Sequence, residues 1–269
     1  MIDIAFGTWK VEVAQALDVV NNAISSGYRH IDTAAAYANE NAIGEGIMQT
    51  GVPRNELFVS GKLWTTKRAY DATIKSCKRS LKNLRMEYFD QYLIHWPASP
   101  ALFSNWQEIN AETWLAMETL KQEGLVRSIG VCNFKPRHID ALMQHAKVMP
   151  EVDQIEFHPG YWQKETVTYC KENNIKVEAW SPLGNGALLT HPTLCKIAEY
   201  HGRSAAQICL HWCIQHGVLP ITKTVSVERM KDNLRVFDFE LCDAEMLEID
   251  NMPVCGYSGL DPDTITQFG

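Results

Sequence analysis

Short runs rich in β-branched and aromatic residues alternate along this chain with longer stretches of helical period. The runs that read as strands cover residues 4–6, 28–32, 57–62, 88–94, 126–132, 152–157, 176–180 and 218–221. Between them, apolar residues recur at spacings of three and four. Val13, Ala16, Leu17, Val20 and Ile24 predict an amphipathic helix over 13–26. Ile74, Cys77, Leu81 and Leu84 predict one over 69–84, and Trp114, Met117 and Leu120 one that stops near Gly124. Ala205, Ile208, Cys209 and Trp212 mark 204–216, where Ser204 and Gln207 form a capping box. Helical turns also fit 39–49, 135–146, 164–174, 193–201 and 226–233.

Alternating β and α units imply parallel strands joined by right-handed crossovers. Eight such units suit a closed (β/α)8 TIM barrel better than an open doubly wound sheet, the alternative α/β architecture. An open sheet built to bind a dinucleotide carries a Gly-rich turn after its first strand. The nearest match here, Gly44-Glu45-Gly46, has the wrong spacing and lies inside a helical pattern. No Pro/Gly/Ser-rich linker divides the chain, so 1–269 reads as one domain.

Composition narrows the picture. Hydrophobic residues make up 46% and charged residues 21%, as in an ordinary globular protein. The net charge of -7 argues against nucleic acid or anionic membrane as a partner, though one local Lys/Arg cluster could still hold a phosphate. No apolar run is long enough to span a bilayer, and the start lacks the pattern of a signal peptide, so the cytoplasm is the expected location. The eight cysteines include no Cys-x-x-Cys; Cys209 and Cys213 share a helical face at i,i+4, but no further ligand pair of metal-site spacing accompanies them. They read as reduced, mostly buried thiols, with no metal expected.

Active sites of such barrels lie at the carboxyl ends of the strands. Asp32, Lys62, His95, Asn133, Gln154, Glu156, Trp180 and Lys223 all fall in or just after the strand-like runs. Singly, Asp32 could be a helix N-cap, Tyr37 a packing aromatic and His95 a core histidine. Lys62 is harder to explain, because it ends a run that reads as buried, and a buried ammonium needs a polar partner. Together they suit carbonyl chemistry. A Lys⁺ beside a tyrosine favours the phenolate and lowers its pKa, a carboxylate holds the lysine in place, and a histidine N–H orients the substrate oxygen.

These residues sit in motifs that resemble the aldo-keto reductase family across nearly the whole chain. The motifs are Phe6-Gly7-Thr8-Trp9, Gly27-Tyr28-Arg29-His30-Ile31-Asp32-Thr33-Ala34 with Tyr37-Ala38-Asn39-Glu40, Gly61-Lys62-Leu63-Trp64, and Leu93-Ile94-His95-Trp96-Pro97. Further on come Gly130-Val131-Cys132-Asn133-Phe134, Gln154-Ile155-Glu156-Phe157-His158-Pro159, Ser181-Pro182-Leu183-Gly184 and Val236-Phe237-Asp238-Phe239-Glu240-Leu241. The resemblance implies a (β/α)8 barrel that reduces aldehydes and ketones with NADPH. It implies a catalytic tetrad of Asp32, Tyr37, Lys62 and His95, with Tyr37 as general acid. Cys132, Asn133 and Gln154 would meet the nicotinamide carboxamide, Trp180 would stack on its ring, and Ser181, Leu183 and Gly184 would meet the pyrophosphate. Lys223, Thr224 and Arg229 would clamp the adenosine 2′-phosphate, with Asp232 and Asn233 facing the adenine. Trp9, Trp64 and Trp96 would line the substrate pocket, and Phe103, Trp106, Tyr257 and Phe268 are further aromatic candidates.

Several positions depart from the family's pattern. Cys132 stands for the usual serine, Trp180 for tyrosine, Thr222 for proline, Asp232 for glutamate and Ala5 for glycine. Only the edge of the family's opening β-hairpin would be present. The short tail resembles bacterial members, and a monomer is expected. Two alternatives share the residues: a non-catalytic NADP-binding regulatory subunit of the same fold, and a lyase forming a Schiff base on Lys62.

Overall fold

A computed structural model describes residues 4–266; Phe268 and most of the expected hairpin edge lie outside the described residues. Eight strands close into one parallel barrel in chain order: β1 Ala5–Gly7, β2 His30–Asp32, β3 Phe58–Leu63, β4 Phe89–Ile94, β5 Val126–Cys132, β6 Val152–Glu156, β7 Lys176–Trp180 and β8 Leu219–Thr222. Closure is made by β1 against β8, with Ala5 opposite Ile221 and Phe6 opposite Thr222. Every predicted strand is present within about two residues at each end, the usual scatter of such boundaries. The strands are buried on both faces, one inside the barrel and the other beneath the helices, and polar side chains interrupt the apolar runs of β3, β4, β6 and β7.

The helices α1 Val13–Ser26, α2 Glu40–Gln49, α3 Tyr70–Leu84, α4 Trp106–Gln122, α5 Pro136–Met143, α6 Lys164–Glu172, α7 Pro192–His201, α8 Ala205–Gln215 and α9 Val227–Leu234 match the periodic stretches. α8 starts as its capping box requires: Gln207 N donates to Ser204 Oγ at 3.2 Å, and Ser204 N donates to Gln207 Oε1 at 3.0 Å. A tenth helix, α10 Asp243–Asp250, has no counterpart in the sequence reading. Ile249 is its one buried residue, so it shows almost no apolar stripe. Gly44 and Gly46 owe their place to packing. A Cβ on Gly44 would sit 2.3 Å from the carbonyl oxygen of Leu84, and one on Gly46 would sit 2.3 Å from Val20 Cγ1. These glycines let α2 approach its neighbours closely and have no part in cradling a phosphate.

Candidate active site

Strand β2 delivers Asp32 to the rim, and the single 3-10 turn that follows, Ala35–Tyr37, swings Tyr37 over the same spot. Strand β3 brings Lys62 from the neighbouring wall, and His95 follows the last residue of β4. Lys62 is 1% exposed and Asp32 3%. Their side chains form a buried ion pair through Lys62 Nζ and Asp32 Oδ2. Lys62 Nζ also donates to the Tyr37 hydroxyl at 3.4 Å and to the Thr33 carbonyl at 3.5 Å. The His95 ring meets Tyr37 edge-on at 5.8 Å and Trp64 at 5.2 Å. The four residues singled out in sequence are therefore one cluster.

Electrostatics corrects one expectation. Burial pushes the Tyr37 phenol up to about 12; Lys62 pulls the other way, and Asp32 adds to the rise. The lysine's charge does favour the phenolate, but desolvation is the larger effect, so Tyr37 stays protonated at neutral pH. Burial alone would lower the Lys62 ammonium, yet the charges of Asp32 and Tyr37 hold it above its ordinary value. His95 is driven well below the ordinary imidazole range, first by burial and then by Lys62. It is neutral, so one ring nitrogen carries a proton and the other a lone pair, and Nδ1 has no partner among the described residues.

The polar shell around this cluster comes from β5, β6 and β7. Cys132 ends β5 inside the barrel, against Leu93 and Val152. Burial raises its thiol well above the usual cysteine range, so it behaves as a weak, neutral donor. Asn133 takes a left-handed backbone with φ 61°. Its Nδ2 donates to the His95 carbonyl at 3.1 Å, and its Oδ1 accepts from Trp180 Nε1 at 2.8 Å. A tyrosine has no N–H to offer there, so this tether belongs to the tryptophan. Gln154 Nε2 donates to Asp32 Oδ1 at 3.0 Å and to Glu178 Oε2 at 2.9 Å. Glu178 Oε1 accepts from Gln91 Nε2 at 2.9 Å, Gln91 Nε2 also lies 3.4 Å from Ser60 Oγ, and Ser60 meets His30 Nε2 at 2.6 Å. The sequence reading missed Gln91 and Glu178. Their signal was a polar residue in the middle of a run that reads as a buried strand.

After β7 the chain turns sharply, with Ser181 at φ 50° and Gly184 at φ 53°. Gly184 N donates to the Ser181 carbonyl at 2.8 Å, and Leu183 is half-buried beside them. Beyond β8, Lys223 and Arg229 are exposed; neither has an acidic partner among the described residues. Ser226 Oγ accepts from Arg229 N at 3.3 Å and so caps α9, while Thr224 Oγ1 accepts from Ser226 N at 3.1 Å. Two free cations at a helix N-terminus suit an anion. Asp232 is half-exposed with Arg235 3.7 Å away, and Asn233 is buried.

The three tryptophans differ. Trp9 is 43% exposed, Trp64 half-buried and Trp96 only 6% exposed, so Trp96 offers little surface to a ligand. Glu156 proved to be an anchor for the tail: Ser258 N and Ser258 Oγ donate to its two oxygens at 2.9 and 2.7 Å. Lys135 adds ion pairs of 2.8 and 2.9 Å to Asp261 and Asp263. Five of the eight cysteines are buried, and all eight are free thiols.

Fold and site together describe a barrel enzyme whose chemistry is gathered at the carboxyl ends of its strands. The chain belongs to the aldo/keto reductase family, whose profile matches residues 3–253. It is 42% identical to glyoxal reductase of Bacillus subtilis over 260 residues, covering 96% of this chain and 91% of that protein. A variant of Gox0644 crystallised in complex with NADPH superposes with a TM-score of 0.91 at 38% identity, covering 98% of this chain and 94% of the other. An aldo-keto reductase of Bombyx mori in complex with NADP gives a TM-score of 0.87 at 34% identity, covering 96% and 91%.

Proposed function

We propose that this chain reduces aldehydes and ketones to alcohols with NADPH, and that Tyr37 is its proton donor. The observation that carries the reading is the Tyr37 hydroxyl 3.4 Å from an ammonium that is itself locked to Asp32, with a neutral His95 ring alongside. When bound, the nicotinamide supplies the reducing equivalent. The chain's residues do the rest. Tyr37 holds its proton until a negative charge grows on the substrate oxygen. Lys62 then stabilises the developing phenolate, Asp32 keeps Lys62 charged, and a His95 N–H orients the carbonyl.

Cofactor binding divides along the rim. Cys132, Asn133 and Gln154 take the carboxamide end, and Trp180 supplies the stacking face, held by its bond to Asn133. The turn through Ser181, Leu183 and Gly184 takes the pyrophosphate. Lys223, Thr224 and Arg229 take the 2′-phosphate, and Asp232 and Asn233 the adenine. Trp9 and Trp64 form the apolar mouth, with Trp96 packed behind them. A carbonyl reductase of the alcohol dehydrogenase type is the activity this arrangement serves.

The test is Tyr37→Phe, assayed by NADPH absorbance with glyoxal and a panel of aromatic aldehydes. The variant should bind NADPH as the wild type does and lose about 10²-fold or more in turnover, the typical contribution of a positioned acid. Wild-type turnover in Tyr37→Phe would remove the proton-donor assignment. Tight NADPH binding by the wild type with no turnover of any carbonyl would favour the regulatory subunit instead.

A further inference from the structure

The barrel interior beneath the tetrad is unusual. Such interiors are ordinarily filled by layers of branched apolar side chains. Here Asp32, Ser60 and Gln91 are register partners on three adjoining strands, and Gln154 and Glu178 are register partners on β6 and β7. All five are at most 5% exposed. Hydrogen bonds join them across the interior: Gln154 on β6 reaches Asp32 on β2, and Gln91 on β4 reaches Glu178 on β7.

The chemistry of the groups fixes the direction of each bond. An ionised carboxylate only accepts, and an amide NH2 has two protons to give. Gln154 lies between two carboxyl groups and donates one proton to each, at 3.0 Å to Asp32 and 2.9 Å to Glu178. Turning its amide over would set an oxygen against both. Both protons are engaged, so the free polar atom of Gln154 is Oε1, which can only accept. Glu178 in turn has one oxygen held by Gln154 and the other by Gln91. Asp32 is left with Oδ2 for Lys62 and Oδ1 for Gln154.

We propose that Glu178 is a positioning residue that, together with Asp32, sets the hydrogen-bond polarity of Gln154, so that Gln154 presents an acceptor, not a donor, to the carboxamide of the nicotinamide, while its N–H steadies Asp32. This rests on the carboxamide role given above to Gln154. The consequence is selectivity for a cofactor that carries an N–H at that point.

The probe is the NADP⁺ analogue with an acetyl group in place of the carboxamide, which keeps the carbonyl and lacks the N–H donor. Dissociation constants of NADP⁺ and the analogue are read from quenching of tryptophan fluorescence, with no turnover involved. Wild type should bind NADP⁺ about tenfold more tightly than the analogue, the worth of one hydrogen bond at this kind of site. Glu178→Leu leaves Asp32 as the one carboxylate orienting Gln154, so that ratio should shrink part of the way toward one, by about threefold. Glu178→Gln should restore it to the wild-type value, since the new amide can accept from Gln154 while Gln91 turns over against the Ser60 hydroxyl, which can donate or accept.

A folded Glu178→Leu protein with the wild-type ratio would overturn the proposal, as would a Glu178→Gln ratio as low as that of Glu178→Leu. If Glu178→Leu does not fold, an atomic-resolution structure of the wild type with NADP⁺ decides. Gln154 Oε1 within hydrogen-bond reach of the carboxamide nitrogen supports the proposal, and Nε2 on that side overturns it. A wild type that does not bind NADP⁺ at all would refute the cofactor reading itself, a separate outcome.

Discussion

Replacing Lys62 by methionine removes the ammonium and keeps most of the side chain's length. Lys62 Nζ lies 3.4 Å from the Tyr37 hydroxyl. At an effective dielectric of about 20, a unit charge at that distance stabilises the phenolate by about 5 kcal/mol, or between three and four powers of ten in acidity. If about half of that is felt when the proton is in flight, the turnover number falls about 10²-fold. Burial already holds the phenol near 12, and losing the lysine moves it higher still, so raising the pH should not rescue reduction. The variant also leaves Asp32 buried without its cation, a loss of about 3–5 kcal/mol in stability, softened by the Gln154 N–H that remains. Asp32→Asn combined with Lys62→Met removes both charges. It should recover much of the stability and none of the turnover. Single-turnover NADPH absorbance gives the rate, urea unfolding gives the stability, and NADPH titration checks binding. A folded Lys62→Met enzyme that turns over within about threefold of wild type would show that the ammonium is not what makes Tyr37 an acid.

Lys223→Ala with Arg229→Ala should weaken NADPH at least about tenfold more than NADH, because only NADPH carries the 2′-phosphate; equal losses on fluorescence titration would place that phosphate elsewhere. His138 is held neutral, pushed down to about 4 chiefly by burial, and its Nδ1 accepts from Lys135 N at 3.0 Å. A folded-state value below the unfolded one means full stability above about 6.5 and a loss of about 3 kcal/mol as the pH falls to about 4. His138→Gln keeps the capping acceptor and should flatten that slope in urea unfolding; an unchanged slope would clear His138. Asp153 is buried, its Oδ2 has no partner, and burial raises its carboxyl well above the ordinary value. Its stability contribution is complete below the unfolded value and is lost as the pH rises, so Asp153→Asn should gain on wild type as the pH rises above about 4. A melting-temperature difference that does not change with pH would exclude that ionisation.

The periodic pattern carried the barrel because each strand and most helices announce themselves locally. Helix α1 buries a stripe of Ala16, Val19, Val20, Ala23 and Ile24, α8 is buried on almost every side, and Ser204 and Gln207 cap as their spacing requires. The tetrad was legible for a related reason: in a barrel, strand ends meet at one rim, so residues far apart in sequence converge without any knowledge of packing. What stayed hidden depends on which strands face each other across the axis. Nothing local says that Gln91 on β4 will meet Glu178 on β7, or that Lys135 will hold Asp261. The rise of the Tyr37 phenol was hidden too, because a sequence shows the charges Lys62 and Asp32 but not how much water is excluded around them. Helix α10 was missed because only Ile249 is buried along it, so no stripe marks it.

A buried ion pair is weak ground for stability, since removing two charges from water costs more than their attraction returns unless every remaining lone pair is engaged. Here each carboxylate oxygen of Asp32 and Glu178 in the interior has at least one partner. Asp32 has Lys62 on one oxygen and Gln154 on the other, and Glu178 has an amide on each. The polar side chains enter from β2, β3, β4, β6 and β7, while Leu93, Cys132 and Val152 form a small apolar cluster of their own. The apolar stabilisation comes from the large cluster that includes the helix faces outside the barrel wall, with Trp114 and Trp212 among its largest members. The two tasks are thus separated in space. The helical layer supplies the burial that holds the fold, and the inner lumen carries a hydrogen-bonded network that an apolar filling could not supply, because only polar groups can hold an ammonium charged beside a phenol.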